Sequence, residues 1–434
     1  MTEEQLKQIE EEEARKAYLE GLEPITFAEY EETVRRWMLV ADPGIIKLLP
    51  ALYVANALKR DPVWMMVIGP SGGGKTELLG AMLDMPSIYP VSLLTPNTFL
   101  SGFPGKSDAS LLPKVNGKVM VFKDWTSILS MNKDARNEIM GQLREIFDGH
   151  LKKPFGNGKV AEWKGKVGIL AGCTPAVDIA QQMHASLGER FVHYRIAMPD
   201  RMEVARRCMR NNKDSERMRL EMRDAFFAFM KTVHVEDATS ELPPEAQEKI
   251  IAVANLATLA RSGVIRDIGF KKEVVYVPSP EMPTRIVQQL ATLATSLMLV
   301  NHGTFDGTDL AVLTKIAMDS IPQTNRMVME AVARKTWQTT DDIAASAGYP
   351  KAPIHMYLEN LAMLGVVRRI QGKDTGAGMG NSDRWEMSSS FSAVMLESMG
   401  YVSASYQPPA AEFEPEIPVE QAFAPAPHGT SATT

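Results

Sequence analysis

Short apolar runs, each closed by a turn-forming cluster, punctuate the first half of the chain. "VWMMVIG" ends at Gly69, "KVMVFKD" at Asp124 and "KVGILAGCT" at Thr174. Runs this short, bounded by Gly, Pro or acids, predict strands buried on both faces. Helical periodicity fills the gaps between them as far as about Pro199, and alternating short strands and helices predict a parallel α/β sheet. Ahead of the first strand, residues 3–20 predict a polar, exposed helix. "TFAEYEETVRRWMLVA" predicts a second, with Thr26 as N-cap and Glu29 three residues on. "GIIKLLPALYVANALKR" predicts a more apolar third, with Pro50 inside it. Residues from about Met202 to Ser320 read as nearly all helix, and residues 324–390 as three short helices and two strands. From Ser403 onward the chain is rich in Pro and Ala without a basic residue, which predicts disorder. No internal repeat is found.

Composition narrows the class. Hydrophobic residues make up 45% and charged residues 23% of 434 positions, ordinary for a globular protein with two or three cores. No apolar run is long enough to span a bilayer. The acidic, polar start "MTEEQLKQIEEEEARK" is no secretory signal, so a cytoplasmic setting is expected. Cys173 and Cys208 lack metal-ligand spacing and the seven histidines are scattered, so no structural zinc is expected. The net charge of −6 is concentrated at the ends: residues 1–20 hold seven Glu against three Lys or Arg, and residues 401–434 hold four Glu and no Lys or Arg. The body between them is slightly basic, which leaves a nucleic-acid partner open.

The loop after the first strand carries the most specific chemistry. In "VIGPSGGGKTELL", Gly69 is followed by Pro70, Ser71, Gly72 and Gly73, and then by Gly74, Lys75, Thr76 and Glu77. This is the P-loop pattern. Its glycines let backbone N–H groups turn toward phosphates, Lys75 reaches the β- and γ-phosphates, and the Thr76 hydroxyl holds magnesium. ATP and Mg2+ are therefore the expected ligands. "MNKDA" supplies Asn132 and Lys133 but no Asp at the guanine-reading position, which argues against a GTPase.

"KVMVFKDWTSIL" looks like the strand that faces such a loop, with one acid missing. Asp124 suits a magnesium-side carboxylate, yet Trp125 stands where a water-activating Glu usually follows. Alternatively Asp124 replaces that Glu, and Lys123 stands at the metal-side position. Glu145 and Asp148 are either helpers or ordinary helix-surface acids. Water positioning acts alongside charge neutralisation, so one missing acid slows hydrolysis without excluding it.

The order of the remaining features resembles the AAA+ ATPases, most closely the branch with the minichromosome maintenance helicases and the enhancer-binding transcription activators. The resemblance covers about residues 36–320. It implies that Thr174 occupies the sensor 1 position, Arg190 the trans-acting arginine finger and Arg285, in "PTRIVQQLATLA", the sensor 2 position. The chain departs from that pattern at residues 123–124 and at Thr174, where those helicases usually carry Asn. A trans-acting finger requires head-to-tail assembly, usually a ring of six in this family.

Two basic elements bear on a DNA partner. "GHLKKPFGNGKVAEWKGK" has a hairpin-turn signal at its centre, with Lys152, Lys153, Lys159, Lys164 and Lys166 against Glu162, and Phe155 and Trp163 interleaved. In the resemblance it matches the pre-sensor 1 hairpin. Its lysines suit phosphates and its aromatics suit base stacking. "TTDDIAASAGYPKAPIHMYLENLAMLGVVRRI" reads as a helix-turn-helix capped by Thr340, with Ile354, Leu358, Leu361 and Leu364 as the apolar stripe of the second helix. It resembles a winged-helix domain, with "GKDTGAGMGNS" as wing tip. Lys351, His355 and Tyr357 on its recognition helix, and Arg368, Arg369, Lys373 and Arg384 on its wing, are the candidate DNA contacts. Residues 324–390 carry eight basic against seven acidic residues, so docking of a protein partner stays open.

The expected organisation is an N-terminal helical extension (1–35), a AAA+ nucleotide-binding core (36–200), a helical lid (201–320), a winged helix-turn-helix (321–400) and an acidic tail (401–434). The expected activity is ATP binding and hydrolysis on DNA, as a replication-type motor or initiator of a phage or other mobile element. A protein remodeller or helicase loader and a transcription regulator are the alternatives.

Overall fold

A computed structural model describes residues 3–101, 110–156, 158–178, 189–235, 241–267, 272–372 and 382–402. The wing tip with Lys373 and the Pro/Ala-rich tail lie outside the described residues. Three helices come first: α1 (Glu3–Glu20), α2 (Phe27–Trp37) and α3 (Gly44–Ala57). Thr26 and Glu29 close a reciprocal capping box at the start of α2, and Pro50 sits buried inside α3. α1 is exposed along most of its described length, as expected, and is tied down through Arg15, which binds Asp84 and Asp224, and through the buried Leu19.

The α/β region follows: β1 (Trp64–Ile68), α4 (Lys75–Gly80), β2 (Ile88–Val91), α5 (Leu112–Val115), β3 (Val119–Phe122), α6 (Thr126–Leu129), α7 (Lys133–Phe147), the hairpin β4 (His150–Pro154) and β5 (Val160–Lys164), then β6 (Gly168–Cys173) and β7 (Phe191–Arg195). Five of these strands form one all-parallel sheet in the order β2-β3-β6-β1-β7. β1, β3 and β6 are buried along their whole length, as helices on both faces of a parallel sheet require. Alternation along each strand splits the core in two. Met65, Val67, Val121, Leu170 and Val192 face one cluster, while Trp64, Met66, Phe122, Ile169 and Phe191 face the other. Gly172 has no room for a side chain: a Cβ there would lie 2.7 Å from the Lys123 carbonyl.

The rest is mostly helical: α8 (Arg201–Asn211), α9 (Ser215–Met230), α10 (Pro244–Ala260), the two-stranded hairpin β8 (Ile265–Arg266) and β9 (Val274–Tyr276), α11 (Thr284–Val300) and α12 (Gly307–Asp319). The small hairpin interrupts a region expected to be nearly all helix. α11 packs on α3, and α12 covers the open edge of β7. There Ser320 Oγ accepts from His193 N (3.0 Å), Asp319 Oδ2 accepts from Arg195 N (2.7 Å), and Lys315 Nζ donates to the Arg195 carbonyl (2.8 Å). Side chains thus complete the ladder that an edge strand leaves open.

The last unit is α13 (Gln323–Ala333), β10 (Gln338–Thr339), α14 (Thr340–Ala347), α15 (Lys351–Met363), β11 (Val367–Ile370), β12 (Arg384–Met387) and α16 (Ser392–Val402). Its sheet is antiparallel in the order β10-β12-β11, one short strand more than expected. Ile354, Leu358, Leu361 and Leu364 are all buried. The helix cap is one residue earlier than expected. Thr339 caps α14 and exchanges bonds with Asp342, while Thr340 is buried in the first turn and accepts from Trp385 Nε1 (3.0 Å). Among the described residues no helix is long and apolar enough to cross a membrane.

Candidate active site

In an open parallel sheet, loops at the carboxyl ends of the strands meet where the strand order reverses. Here β1 lies between β6 and β7, so the loop 69–74, Asp124 after β3 and Thr174 after β6 share one edge. Backbone bonds fix that edge: Gly69 N donates to the Cys173 carbonyl (3.1 Å), Trp125 N to the Gly172 carbonyl (2.7 Å) and Ile196 N to the Ile68 carbonyl (2.8 Å).

Gly72 and Gly74 adopt left-handed backbone at φ 73° and 80°, the conformation that turns successive N–H groups into an anion-binding concavity. Ser71 and Gly72 are exposed at its crest. Lys75 is bent back on the loop, its Nζ donating to the carbonyls of Gly69 (2.6 Å) and Pro70 (2.7 Å). Burial lowers its pKa, offset by nearby Cys173 and Asp124. Asp124 Oδ1 accepts from Thr126 N (2.9 Å), and the Thr126 and Thr174 hydroxyls are 3.3 Å apart. Thr76, Lys123 and Asp124 are exposed. Burial pushes the Cys173 thiol up to about 11, so it supplies no nucleophile.

Trp125 explains the missing glutamate. Its side chain is fully buried, edge-on to Phe122 (4.9 Å) and Phe191 (5.3 Å). The residue after Asp124 therefore points into the core and serves packing. Glu77 also points away from the loop: both its oxygens bind Arg219 of α9, at 2.8 and 2.9 Å.

Arg190 and Arg285 lie at the other edge. Arg190 precedes β7, six residues or about 20 Å of strand away from Ile196. Its guanidinium binds Asp148 (3.3 Å), and its carbonyl accepts from Gln289 (3.1 Å). Arg285 binds Glu281 and the Glu189 carbonyl. Burial lowers the Arg285 pKa, and Arg190 and Arg261 lower it further. Neither arginine is placed to share a phosphate with Lys75 of the same chain. Asp148 is likewise no helper to Asp124, since it serves Arg190.

The hairpin β4–β5 is present, with Gly158 in left-handed backbone at its turn. Its aromatics are not a stacking platform: Trp163 is buried in the core, and Phe155 packs against it. Lys153 is folded back to the Pro96 carbonyl (2.7 Å), Asn97 (3.0 Å) and Glu138 (3.1 Å). Lys166 donates to the Leu58 carbonyl (2.7 Å), and burial lowers its pKa to about 8. Lys152, Lys159 and Lys164 remain exposed.

Among the described residues of the C-terminal unit, each of these proposed contacts has a partner in its own chain: Lys351 with Asp341 (2.8 Å), the His355 ring with Glu359 (3.8 Å), Arg368 with Glu386, Arg369 with Asp383 (2.8 Å), and Arg384 with the Trp337 carbonyl (3.4 Å). Exposed pairs of this kind are weak and yield to a phosphate. Arg266 of β8 is a larger obstacle. It binds Asn360 (2.9 Å) and Glu359 (3.1 Å) and so holds the β8–β9 hairpin against α15.

Several residues carry no sequence signal yet matter to the geometry. Met38 and Met198 flank the loop; a Cβ on Gly74 would lie 2.7 Å from Met38 Cε, and one on Gly73 3.5 Å from Met198 Sδ. Arg144 and Arg261 join the far arginine cluster. Among the described residues no group of three or more His, Cys, Asp or Glu is placed to hold a metal ion. Magnesium needs no such cage, because one or two carboxylates plus substrate phosphates suffice. No family model and no curated protein matches the chain.

Proposed function

We propose that the chain binds ATP with magnesium at Gly69–Thr76 and hydrolyses it between copies, as a DNA-acting ring ATPase of the helicase-like AAA+ type. One observation carries the reading: the loop, Asp124 and Thr174 share one sheet edge beside Lys75, while Arg190 and Arg285 cluster on the opposite edge. Each edge holds half of a phosphoryl-transfer site, and head-to-tail stacking brings unlike edges together.

In this reading the backbone of residues 69–74 cradles the phosphates, and Lys75 leaves its carbonyl partners for the β- and γ-oxygens. Met38 and Met198 offer apolar, adaptable surface to the base. Thr76 and Asp124 would hold magnesium, which supplies charge neutralisation on the transferring group. Thr126 and Thr174 are the hydroxyls available to orient the attacking water. Arg190 and Arg285 of a neighbouring copy would stabilise the developing charge. Lys152, Lys159 and Lys164 would meet DNA phosphates, and the C-terminal unit is winged-helix in type.

ATP turnover with and without single- and double-stranded DNA tests the reading, beside Lys75→Ala and Asp124→Ala. DNA-stimulated turnover lost in both variants supports it. Binding without turnover, with DNA present and copies assembled, replaces the motor with a nucleotide-gated switch, a second reading that the burial of Trp125 favours. The Arg266 contact on α15 favours partner docking over groove reading by that helix.

A further inference from the structure

At the arginine edge, one carboxylate serves two guanidinium groups. Glu281 Oε2 accepts from Arg261 Nη2 at 2.7 Å, and its Oε1 accepts from Arg285 Nη1. The Glu189 carbonyl also accepts from both, at 3.5 and 3.2 Å. The two arginines are not equivalent. The Arg261 side chain is 4% exposed and that of Arg285 25%. Arg261 caps the carboxyl end of α10, where a helix dipole favours a cation, whereas Arg285 lies in the first turn of α11, where it does not. The Nε and Nη1 of Arg261 have no hydrogen-bond partner. Arg144 and Arg190 stand close enough to act on the same charges, so four guanidinium groups face the carboxylates of Asp148, Glu189 and Glu281.

We infer that Glu281 is the resting partner of Arg285, and that Arg261 is a positioning residue that keeps Glu281 paired when Arg285 moves onto the terminal phosphate of a nucleotide held by a second copy. This rests on the function proposed above. When Arg285 moves, it leaves Glu281 behind. Glu281 is 23% exposed, and removing the last cation from a largely buried carboxylate is strongly unfavourable. Arg261 removes that penalty, because its bond to Glu281 persists. Arg261 cannot make the journey itself, being buried at a helix end. Arg285 can, and repulsion from Arg190 and Arg261 already weighs against its resting place. No covalent bond changes: one ion pair is exchanged for another.

The test uses the full chain carrying Arg261→Gln, Glu281→Gln or both. Sedimentation follows assembly in a non-hydrolysable ATP analogue, and turnover is measured in parallel. Arg261→Gln leaves Glu281 to Arg285 alone. It is expected to cut both readouts at least about tenfold, toward the level of Arg285→Ala, with analogue affinity of the dilute chain unchanged. Adding Glu281→Gln is expected to restore both to within about threefold of wild type, a coupling that only a shared partner produces. Glu281→Gln alone is expected to lower the analogue concentration needed for assembly, and it decides the matter if Arg261→Gln does not fold. An unaffected Arg261→Gln, a double variant no better than it, or an unchanged Glu281→Gln overturns the inference. A wild type that neither assembles nor turns over ATP overturns the proposed function and this inference with it. A wild type that does both while Arg285→Ala is as active overturns the inference alone.

Discussion

The two edges of the parallel sheet are built on opposite terms. The carboxyl edge carries bare backbone: left-handed glycines, one lysine folded on its own loop, and the exposed Asp124. The amino edge carries crowded side-chain charge, with four arginines on three acids and the base of a basic hairpin beside them. One edge has donors for an anion and few cations; the other has cations and no glycine-rich cradle. On the proposed function, neither edge is a complete site, and their chemistry adds only when the edge of one copy meets the other edge of the next.

Breaking the packing under the carboxyl edge gives the largest effect. Trp125→Ala is expected to cost about 3–5 kcal/mol of stability, as large aromatic deletions from cores do. Trp125→Glu, which supplies the absent acid by name, is expected to be at least as destabilising and to restore no turnover, because position 125 faces Phe122 and Phe191. Chemical denaturation with an ATPase assay checks both. A stable, faster Trp125→Glu enzyme contradicts the packing account.

Next come the charges that distinguish the edges. Lys75→Ala is expected to abolish nucleotide binding by the dilute chain. Arg190→Ala and Arg285→Ala are expected to leave that binding intact and to lower turnover about 10²–10³-fold. Equilibrium binding beside turnover separates the two classes. A loss of monomer affinity in Arg285→Ala would place that arginine in its own chain's site.

Smaller effects sharpen the amino edge. Replacing Lys152, Lys159 and Lys164 together by Ala is expected to reduce the slope of log affinity for DNA against log salt by about 2–3, whereas Lys153→Ala leaves it unchanged. Binding titrations across salt concentrations decide. Midway between the edges, His193 is fully buried in β7, and burial lowers its pKa to about 3 from 6.5. The unfolded chain therefore binds the extra proton first. The contribution of His193 is complete above pH 6.5 and is lost as pH falls from there toward 3. His193→Gln is expected to flatten the loss of melting temperature over that range.

Sequence reading found what local pattern determines. Strands β1, β3 and β6, the glycine loop, the β4–β5 hairpin and the helices of the C-terminal unit were legible from periodicity and turn residues. Contacts distant in sequence were not. Trp125 looks like a lost catalytic position until Phe191, from another strand, is seen against it. Trp163 alternates with lysines as a stacking residue would, yet the inward face of its hairpin is core. Arg261 stands in "LARSG" with no motif around it, and only Glu281 and Glu189 reveal its place. The β8–β9 hairpin has strands of two and three residues, too short for a period to show. Thr339 and Thr340 are equal candidates for one cap until tertiary burial takes Thr340.

Mixing two inactive chains tests the central claim most directly. Lys75→Ala retains the arginine edge and Arg285→Ala retains the loop edge. If unlike edges of neighbouring copies form the site, an equal mixture regains turnover, up to about a quarter of wild-type interfaces under random assembly. A mixture as inactive as its components, with assembly confirmed by sedimentation, contradicts the claim.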